Sequence, residues 1–509
     1  MKNALVLNMG MKSIRSIVFS ETGEKLGTAA CPVQTILNAE CVEQDPNEWW
    51  AKAAQVIRAS LVDVGKENID YITVTASSSC LVCVDKNGDS LDKCIMVSDR
   101  RAVAETEKIK NAQSYLEMGK TVWGLEASFM LPKILWIKNN KPEIYENTHK
   151  FLSPNDFLIG KMTNEFFTDI FNAQKYLYDL NKNSYPIALI KELGLKTESF
   201  PEVVSPGKII GKLTEKACDF LGLSRRTSVV LSTYDAICSF FGSGVSEEGE
   251  ASDVSGTVTV FRALSKKTSL KPSASIFVTP YQEQNLTIVG GSNNLGGGLI
   301  EWVKQCYYLN EQYPYEVMEK DANNAKIGSD GLIFLPYLLG ERAPVWNNDA
   351  RGVFFGLERT HTRNEMTRAV FESAGFIDLD MIKAIEDTGI KITRIRLSGG
   401  LARIDLVSQI KSDITGRDVL VLSEFETTAA GAAMLVFIGV GVFDDLKQAS
   451  DIFASVRMVI KSNGANHAKY QKLYTLYKDC YENMKDLFKK RSEMVAQIYQ
   501  KHEIRIENM

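Results

Sequence analysis

The chain has 509 residues, of which 45% are hydrophobic and 24% are charged, a balance typical of folded globular proteins. The formal net charge of −4 provides no overall positive field that would favour nucleic acid or an anionic membrane. No apolar stretch reaches the roughly 18 residues that a membrane span needs. The N-terminal residues also lack the long apolar region and cleavage site of a signal peptide, so the sequence predicts a cytoplasmic protein.

Residues 4–19 predict a β-hairpin, because two apolar runs flank a turn that contains Gly10. A phosphate-binding turn of this kind usually supplies a carboxylate for magnesium and a small hydroxyl near the transferred phosphate. Asn8 stands at the expected acid position, and Met11 and Lys12 occupy the expected hydroxyl positions. Either the metal anchor is weakened, or the metal is anchored elsewhere.

The segments after this hairpin predict an α/β layer. Strands are expected near residues 27–33 and 71–74. Between them, Asp45 is suited to cap a helix that has Pro46 at its first position and runs toward Val64. Strands followed by a helix and a further strand indicate an α/β fold.

The nine cysteines are spread from Cys31 to Cys480, and their odd number argues against a disulfide framework. Cys80 and Cys83 form a single C-x-x-C pair within residues 79–84, which predict a strand with the two thiols on opposite faces. With four histidines and no second cysteine pair, buried thiols are favoured over a zinc site.

Residues 229–244, VVLSTYDAICSFFGSG, predict a strand that runs into Asp235 and then a helix. An Asp at the carboxyl end of a strand, at the mouth of a cleft, is suited to act as general base for a substrate hydroxyl. The alternative is that Asp235 only caps the following helix. On spacing alone the two roles are equally supported.

A second hairpin is expected at residues 250–263, with Gly256 and Thr257 in its turn. Its backbone N–H groups and the Thr257 hydroxyl are suited to phosphate, although an ordinary turn has the same pattern. Gly399 and Gly400, between a strand and a helix, would let a nucleotide approach the helix N-terminus, but plain turns of this kind are common.

Two halves that each open with a glycine-turn hairpin indicate a duplication with a cleft between the copies. We predict an N-terminal domain at residues 1–246, a C-terminal domain at 247–464, and a C-terminal helix within 465–509 that packs on the body. Two further features are structural: Thr362 and Glu365 predict a capping box, and residues 431–433 predict close helix packing.

The order and spacing of these motifs resemble those of the FGGY family of carbohydrate kinases over nearly the full chain. The segments that carry the resemblance are VEQDPNEWW (42–50), VSDRRA (97–102), SFMLPKILWIKNNKPE (128–143), FLPYLLGERAPVWNNDARGVFFGL (334–357) and LSGGLARIDLVSQIKSDITGRDV (397–419). The fourth is very similar to the gluconate and xylulose kinase branch. The resemblance implies an α/β fold with two actin-like (ribonuclease H-like) ATPase domains that close over a sugar and MgATP.

Within these segments the chain keeps several family positions, namely Asp99, Arg101, Lys133 and Trp136. It departs from the family at Val97, where Trp is usual, and at Met130, where a small residue is usual. Ile404 and Val407 replace the common Ser and Trp of the last segment.

The resemblance implies that Asp235 is the base that accepts the proton of the substrate hydroxyl. It also implies phosphate contacts at Gly256 and Thr257, and an adenosine pocket lined by Gly399 and Gly400.

The first turn departs from the family pattern, which is D-x-G-T followed by Thr or Ser and then Arg. This chain keeps Gly10, Ser13 and Arg15, which the resemblance places at the phosphates, but it has Asn8 in place of Asp. Asn8 keeps a carbonyl ligand for magnesium, directly or through water, without the charge. Lys12 either places a positive charge beside the phosphates or is a solvated turn residue.

The substrate side that the resemblance implies combines Asp99 and Arg101 with Ser78, Ser79 and Cys80, where relatives carry larger polar residues. Small side chains there either leave room for a bulkier sugar or fail to bind the usual one. Residues 288–302 resemble an N-N-G-G segment of gluconate kinases, although their asparagines are also suited to cap the next helix.

Together these features predict an ATP-dependent kinase that phosphorylates a hydroxyl of an open-chain sugar, sugar acid or polyol, with ATP and Mg²⁺ as cofactors. The expected partner is that small molecule, with no nucleic acid and no membrane, and a homodimer is left open. The alternative is a kinase-fold sugar-binding protein with little or no turnover. Asn8 and Met11 favour this alternative, whereas Asp235 and Thr257 favour the enzyme.

Overall fold

The computed structural model describes residues 1–38, 41–118, 125–256, 258–267, 270–271, 273–281, 285–423 and 426–506, with side chains as far as residue 498. The chain divides into two compact units. The first comprises Met1–Ser246 and Glu426–Ser455, and the second comprises Glu247–Phe425 and Val456–Met509. Within the described ranges, no helix has both the length and the apolar content needed to cross a membrane.

The strands of the described residues follow in chain order: β1 (Asn3–Met9), β2 (Ser13–Ser20), β3 (Lys25–Pro32), β4 (Ile36–Asn38), β5 (Cys41–Gln44), β6 (Tyr71–Ala76), β7 (Val82–Val84), β8 (Cys94–Ile95), β9 (Lys150–Leu152), β10 (Phe167–Asp169), β11 (Glu202–Val204), β12 (Ile209–Lys212), β13 (Ser228–Val230), β14 (Glu250–Ser255), β15 (Thr259–Ser265), β16 (Phe277–Tyr281), β17 (Leu286–Asn293), β18 (Ile333–Pro336), β19 (Gly352–Phe355), β20 (Arg394–Gly399), β21 (Asp418–Leu422) and β22 (Val456–Ile460).

The α-helices of the same residues are α1 (Pro46–Ser60), α2 (Val103–Lys110), α3 (Gln113–Glu117), α4 (Met130–Asn140), α5 (Pro142–Asn147), α6 (Pro154–Thr163), α7 (Ile170–Ala173), α8 (Ile187–Glu192), α9 (Glu215–Leu221), α10 (Asp235–Gly242), α11 (Gly297–Tyr307), α12 (Pro314–Asn324), α13 (Arg363–Glu386), α14 (Asp405–Thr415), α15 (Thr427–Gly439), α16 (Leu446–Phe453) and α17 (Gly464–Ile506).

The first unit is built on a six-stranded sheet with the order β12-β13-β6-β1-β2-β3. β1 and β2 form the predicted N-terminal hairpin, in which Leu7 lies opposite Ser16. β6 runs parallel to β1, and β13 runs parallel to β6. β1 is buried along nearly its whole length, as expected for a central strand covered on both faces. The prediction of an α/β unit is confirmed.

The second unit repeats this arrangement in a seven-stranded sheet with the order β16-β17-β15-β14-β20-β21-β22. β14 and β15 form the second predicted hairpin, in which Ser255 lies opposite Thr259. β20 and β21 continue the sheet in parallel, as β6 and β13 do in the first unit. β22 then closes the sheet antiparallel to β21, as β12 does beside β13. The shared strand order supports the predicted duplication.

The helix predicted at Asp45 begins where its sequence indicates. The Asp45 side chain accepts a hydrogen bond of 2.9 Å from the Asn47 amide, and Pro46 occupies the first turn. The helix ends at Ser60 instead of Val64, and the chain then turns at Gly65, whose φ of 81° suits glycine. Trp49 is fully buried in the core of the first unit.

Residues 426–455 pack in the first unit, whereas the sequence assigned them to the domain at 247–464. The cause is the contact of α15 with α10, where two glycines let the helix backbones touch. A Cβ atom at Gly431 would lie 1.8 Å from the Cys238 carbonyl oxygen, and one at Gly242 would lie 1.9 Å from the Thr427 carbonyl oxygen. The C-terminal helix α17 packs on α14 and β18 within the second unit.

The predicted strand at residues 79–84 begins later, because Ser79 has a φ of 60° that a strand does not accommodate. Only Val82–Val84 form β7, so Cys80 lies before the strand. The two thiols lie in separate apolar clusters, and burial raises the pKa of Cys83 to about 12. Among the described residues, no group of three or more His, Cys, Asp or Glu is arranged to hold a metal ion.

Candidate active site

Three polar side chains lie at or just after the carboxyl ends of neighbouring parallel strands in the first sheet. Asn8 lies near the end of β1, Ser77 follows β6, and Asp235 comes shortly after β13. The β1–β6 register pairs Asn8 with Thr75, so these strand ends lie at one edge of the sheet. Ligands bind at this edge in open α/β sheets.

Asp235 is held in a defined orientation by two neighbours. Its Oδ2 accepts a hydrogen bond of 3.0 Å from the Ser77 hydroxyl, and its Oδ1 accepts one of 2.7 Å from the Ala236 amide. The cap position of α10 belongs to Tyr234, and Asp235 is the first helical residue, so the alternative that Asp235 is the capping residue is wrong. The half-buried carboxylate therefore has a defined orientation at the sheet edge.

The predicted phosphate turn of the first unit is closed by its own backbone. The Gly10 amide donates to the Ser13 carbonyl oxygen at 2.9 Å, and the Met11 carbonyl oxygen accepts from the Gln44 side chain at 2.9 Å. The Lys12 side chain is exposed at the tip, and Met11 packs against the core. The turn is thus held by hydrogen bonds to its backbone, and Lys12 at its tip is open to solvent.

Arg15, at the end of this turn, forms an ion pair with a residue that is distant in the sequence. Its Nη1 lies 2.6 Å from Oε1 of Glu426, the residue before α15, and both side chains remain partly exposed. Nothing in the local sequence indicates this partner, because the two residues are 411 positions apart.

The first turn does not fit a magnesium ion held by protein carboxylates. Asn8 supplies a neutral amide, Ser13 supplies a hydroxyl, and the turn contains no acid. Magnesium in kinases is usually held by one or two carboxylates together with substrate phosphates and water. Any magnesium at this turn would depend on the phosphates of a nucleotide.

The residues predicted for the substrate side form a tight ion pair. Arg101 donates through Nε to Asp99 Oδ1 at 2.9 Å and through Nη2 to Asp99 Oδ2 at 2.7 Å. The same Nη2 lies 2.8 Å from Glu43 Oε1, and the guanidinium carbon lies 4.9 Å from the centre of the Trp136 ring. Arg101 is therefore fixed by two acids and an aromatic face, and Glu43 is a partner that the sequence did not reveal.

Lys133 forms a hydrogen bond to the backbone of the turn at Ser78, Ser79 and Cys80. Its fully buried ammonium group donates to the carbonyl oxygens of Ser79 and Met96, the latter at 2.8 Å. Burial lowers the pKa of Lys133 to about 8. One buried donor thus joins the serine turn to the segment that leads into Asp99.

The predicted nucleotide residues come together in the second unit. The Gly400 amide donates to the Ser255 carbonyl oxygen at 2.8 Å, and the Gly297 amide donates to the Gly256 carbonyl oxygen at 2.6 Å. Gly399 has a φ of 87°, and a Cβ atom there would lie 2.5 Å from the Ser255 carbonyl oxygen. Thr257 lies outside the described residues. Glycine backbones therefore pack against the hairpin from two sides.

The structure brings some of the candidate residues into contact within each unit. In the first unit Ser77 contacts Asp235, Lys133 contacts Ser79, and Asp99 pairs with Arg101. In the second unit the Gly399-Gly400 turn contacts the hairpin of Gly256.

Comparison with known proteins gives a match along most of the chain. Residues 3–242 match the N-terminal domain, and residues 251–440 match the C-terminal domain, of the FGGY family of carbohydrate kinases. The chain is 25% identical over 481 residues to the xylulose kinase of Staphylococcus xylosus, covering 94% of this chain and 99% of that protein. It is 26% identical over 464 residues to the gluconokinase of Bacillus subtilis, covering 89% and 90% of the two chains.

Solved structures show the same similarity in three dimensions. The gluconate kinase from Lactobacillus acidophilus superimposes with a TM-score of 0.88 and 25% sequence identity, covering 96% of this chain and 99% of that one.

Proposed function

Because the chain belongs to the FGGY family of carbohydrate kinases, with two actin-like domains, we propose that it transfers the γ-phosphoryl group of ATP to a hydroxyl of an open-chain sugar, sugar acid or polyol. Relatives named xylulose kinase and gluconokinase support sugar phosphorylation as the activity. Gluconate and xylulose are accordingly the first candidate substrates.

In the proposed reaction, Asp235 accepts the proton of the substrate hydroxyl. A bond forms between that oxygen and the γ-phosphorus, the bond from the γ-phosphorus to the β,γ-bridging oxygen breaks, and ADP leaves with the electron pair. The Ser77 hydroxyl donates to one oxygen of the Asp235 carboxylate and the Ala236 amide to the other. These two bonds restrict rotation of the carboxylate and keep it aimed at the sheet edge.

The substrate would lie over Ser78, Ser79 and Cys80, with Asp99 and Arg101 beside them. Lys133 links the serine turn to the segment before Asp99, because its ammonium group donates to the carbonyl oxygens of Ser79 and Met96. Of these three side chains Ser78 is partly exposed, whereas Ser79 and Cys80 are buried, so Ser78 is the one that would contact the substrate directly.

Each unit supplies candidate residues for ATP. In the first unit, Gly10, Ser13 and Arg15 are the proposed phosphate contacts, with Lys12 at the tip of the turn. In the second unit, Gly256 and Thr257 are the proposed phosphate contacts, and Gly399 and Gly400 would face adenosine. Magnesium would enter bound to ATP, because Asn8 offers only a neutral oxygen.

The observation that carries this proposal is the oriented Asp235 carboxylate at the carboxyl edge of the first sheet. A role at the start of α10 does not account for the hydrogen bond from Ser77, which lies outside that helix.

The test is release of ADP from MgATP by the purified protein with aldonates, ketopentoses and polyols. We expect turnover with at least one of these compounds, and we expect Asp235→Asn to lower its kcat by about 10²–10⁴-fold, the usual contribution of a general base. Asp45→Asn is the matched control, because it makes the same change at a helix start where asparagine caps equally well.

Full turnover in Asp235→Asn would exclude Asp235 as the base. Sugar binding measured by calorimetry without any sugar-dependent ADP release would instead support a kinase-fold sugar-binding protein, the alternative that Asn8 favours.

A further inference from the structure

A buried ion cluster lies beneath the second hairpin. Lys411, on α14, places its Nζ between Asp253 on β14 and Asp378 on α13. Its distance to Asp378 Oδ2 is 2.8 Å, and it also forms an ion pair with Asp253 Oδ2. All three side chains are at most 2% exposed.

Placing three ionisable side chains in a buried space carries a large desolvation cost. Burial lowers the pKa of Lys411, but the two carboxylates outweigh this effect and the pKa is raised overall. Burial and the nearby Asp253 raise the pKa of Asp378 well above its usual range. Apolar residues of similar volume often stabilise a core more than a buried ion pair does. A buried ion cluster is therefore weak evidence for a role in stability.

Ser255 connects the cluster to the hairpin. Its hydroxyl donates to Asp253 Oδ1 at 2.6 Å and accepts from Lys411 Nζ at 3.4 Å. Its carbonyl oxygen accepts from the Gly400 amide at 2.8 Å. Ser255 is thus held through its side chain by the ion cluster and through its backbone by the glycine turn, directly before Gly256.

We propose that Ser255 and Lys411 are positioning residues for nucleotide binding. Lys411 fixes Asp253 and the Ser255 hydroxyl, and Ser255 in turn sets the distance between the Gly256 hairpin and the Gly399-Gly400 turn. The inference rests on the proposed function, in which these two turns bind the phosphates and adenosine. The proposal predicts that the cluster affects nucleotide binding and does not affect sugar binding.

The experiment compares Ser255→Ala with Ser252→Ala. Both serines are buried in β14, but no hydrogen-bond partner of the Ser252 hydroxyl is found among the described residues. Calorimetry with MgADP and the KM values for ATP and for the best sugar are measured for both variants and the wild type. We expect Ser255→Ala to weaken MgADP binding and raise the ATP KM about three- to tenfold, the worth of one hydrogen bond, with the sugar KM unchanged.

A Ser255→Ala variant that matches the wild type and Ser252→Ala in nucleotide binding would overturn the inference. It would also be overturned if the KM values for ATP and sugar rose together, since that pattern indicates general loss of structure. Absence of MgADP binding in the wild type would overturn the proposed function itself, and that result is distinguishable from equal binding by all three proteins.

Discussion

At the scale of single residues, Lys133 is a buried cation that joins two segments of the candidate substrate side. Its buried ammonium group is the shared donor for the carbonyl oxygens of Ser79 and Met96. Removal from water disfavours the charged form, which is why the pKa of Lys133 falls to about 8. The unfolded chain keeps the usual value near 10.5.

This difference predicts a specific pH dependence of stability. Between pH 8 and pH 10.5 the unfolded chain binds more protons at Lys133 than the folded protein does, so the free energy of unfolding rises with pH in this window. We expect the wild type to gain on the order of 3 kcal/mol relative to Lys133→Met across the window, since each pKa unit corresponds to about 1.4 kcal/mol. Urea unfolding of both proteins at about pH 7.5, 9 and 10.5 measures this difference.

A wild-type curve that runs parallel to the Lys133→Met curve would contradict the prediction. The comparison removes the contribution of every titrating group that does not interact with Lys133, and it leaves that of Lys133 with the neighbouring thiols Cys80 and Cys94.

At the scale of elements, the first unit depends on the packing of α15 against α10. Gly242 and Gly431 let the two helix backbones approach so closely that a Cβ atom at either position would meet a carbonyl oxygen inside 2 Å, at 1.9 Å and 1.8 Å respectively. Backbone atoms cannot move aside as the end of a flexible side chain does. The helices would have to separate, and the apolar contacts of α15 would be lost.

We therefore expect Gly431→Ala to destabilise the protein by about 3 kcal/mol or more, the upper range for overpacked cores. Gly211→Ala is the matched control, because a Cβ atom there meets nothing within 4 Å and should change stability by only about 0.5 kcal/mol. Chemical denaturation of the two variants gives both values. A Gly431→Ala protein as stable as Gly211→Ala would show that the helices are not in backbone contact.

At the scale of the whole molecule, two separate segments of the chain build the first unit. The chain leaves this unit after Ser246, builds most of the second unit, and returns for Glu426–Ser455 before α17 completes the second unit. The returning segment is almost entirely buried along α15. The first unit is consequently not a contiguous piece of sequence.

This organisation predicts how fragments will behave. A fragment of residues 1–246 should expose the surfaces of β1 and α10 that α15 covers, and should therefore bind a hydrophobic dye and lack a cooperative thermal transition. The same fragment joined through a flexible linker to residues 426–455 should unfold cooperatively. Circular dichroism and dye fluorescence compare the two. Cooperative unfolding of residues 1–246 alone would show that the returning segment is dispensable.

The amino-acid sequence by itself determined the local features of this protein. The hairpins around Gly10 and Gly256, the helix start at Asp45 and the capping box of Thr362 with Glu365 were all predicted, because turn and cap chemistry acts over a few neighbouring residues. The order of the motifs along the chain also indicated the family, since that order is a property of the sequence alone.

Only the tertiary structure decided which distant side chains meet. Glu426 pairs with Arg15, and Lys411 joins Asp253 to Asp378, across separations that no local pattern encodes. The assignment of residues 426–455 to the first unit depends on the same kind of contact. These outcomes follow from strand order and helix packing, which bring together residues whose chemistry is visible in the sequence but whose partners are not.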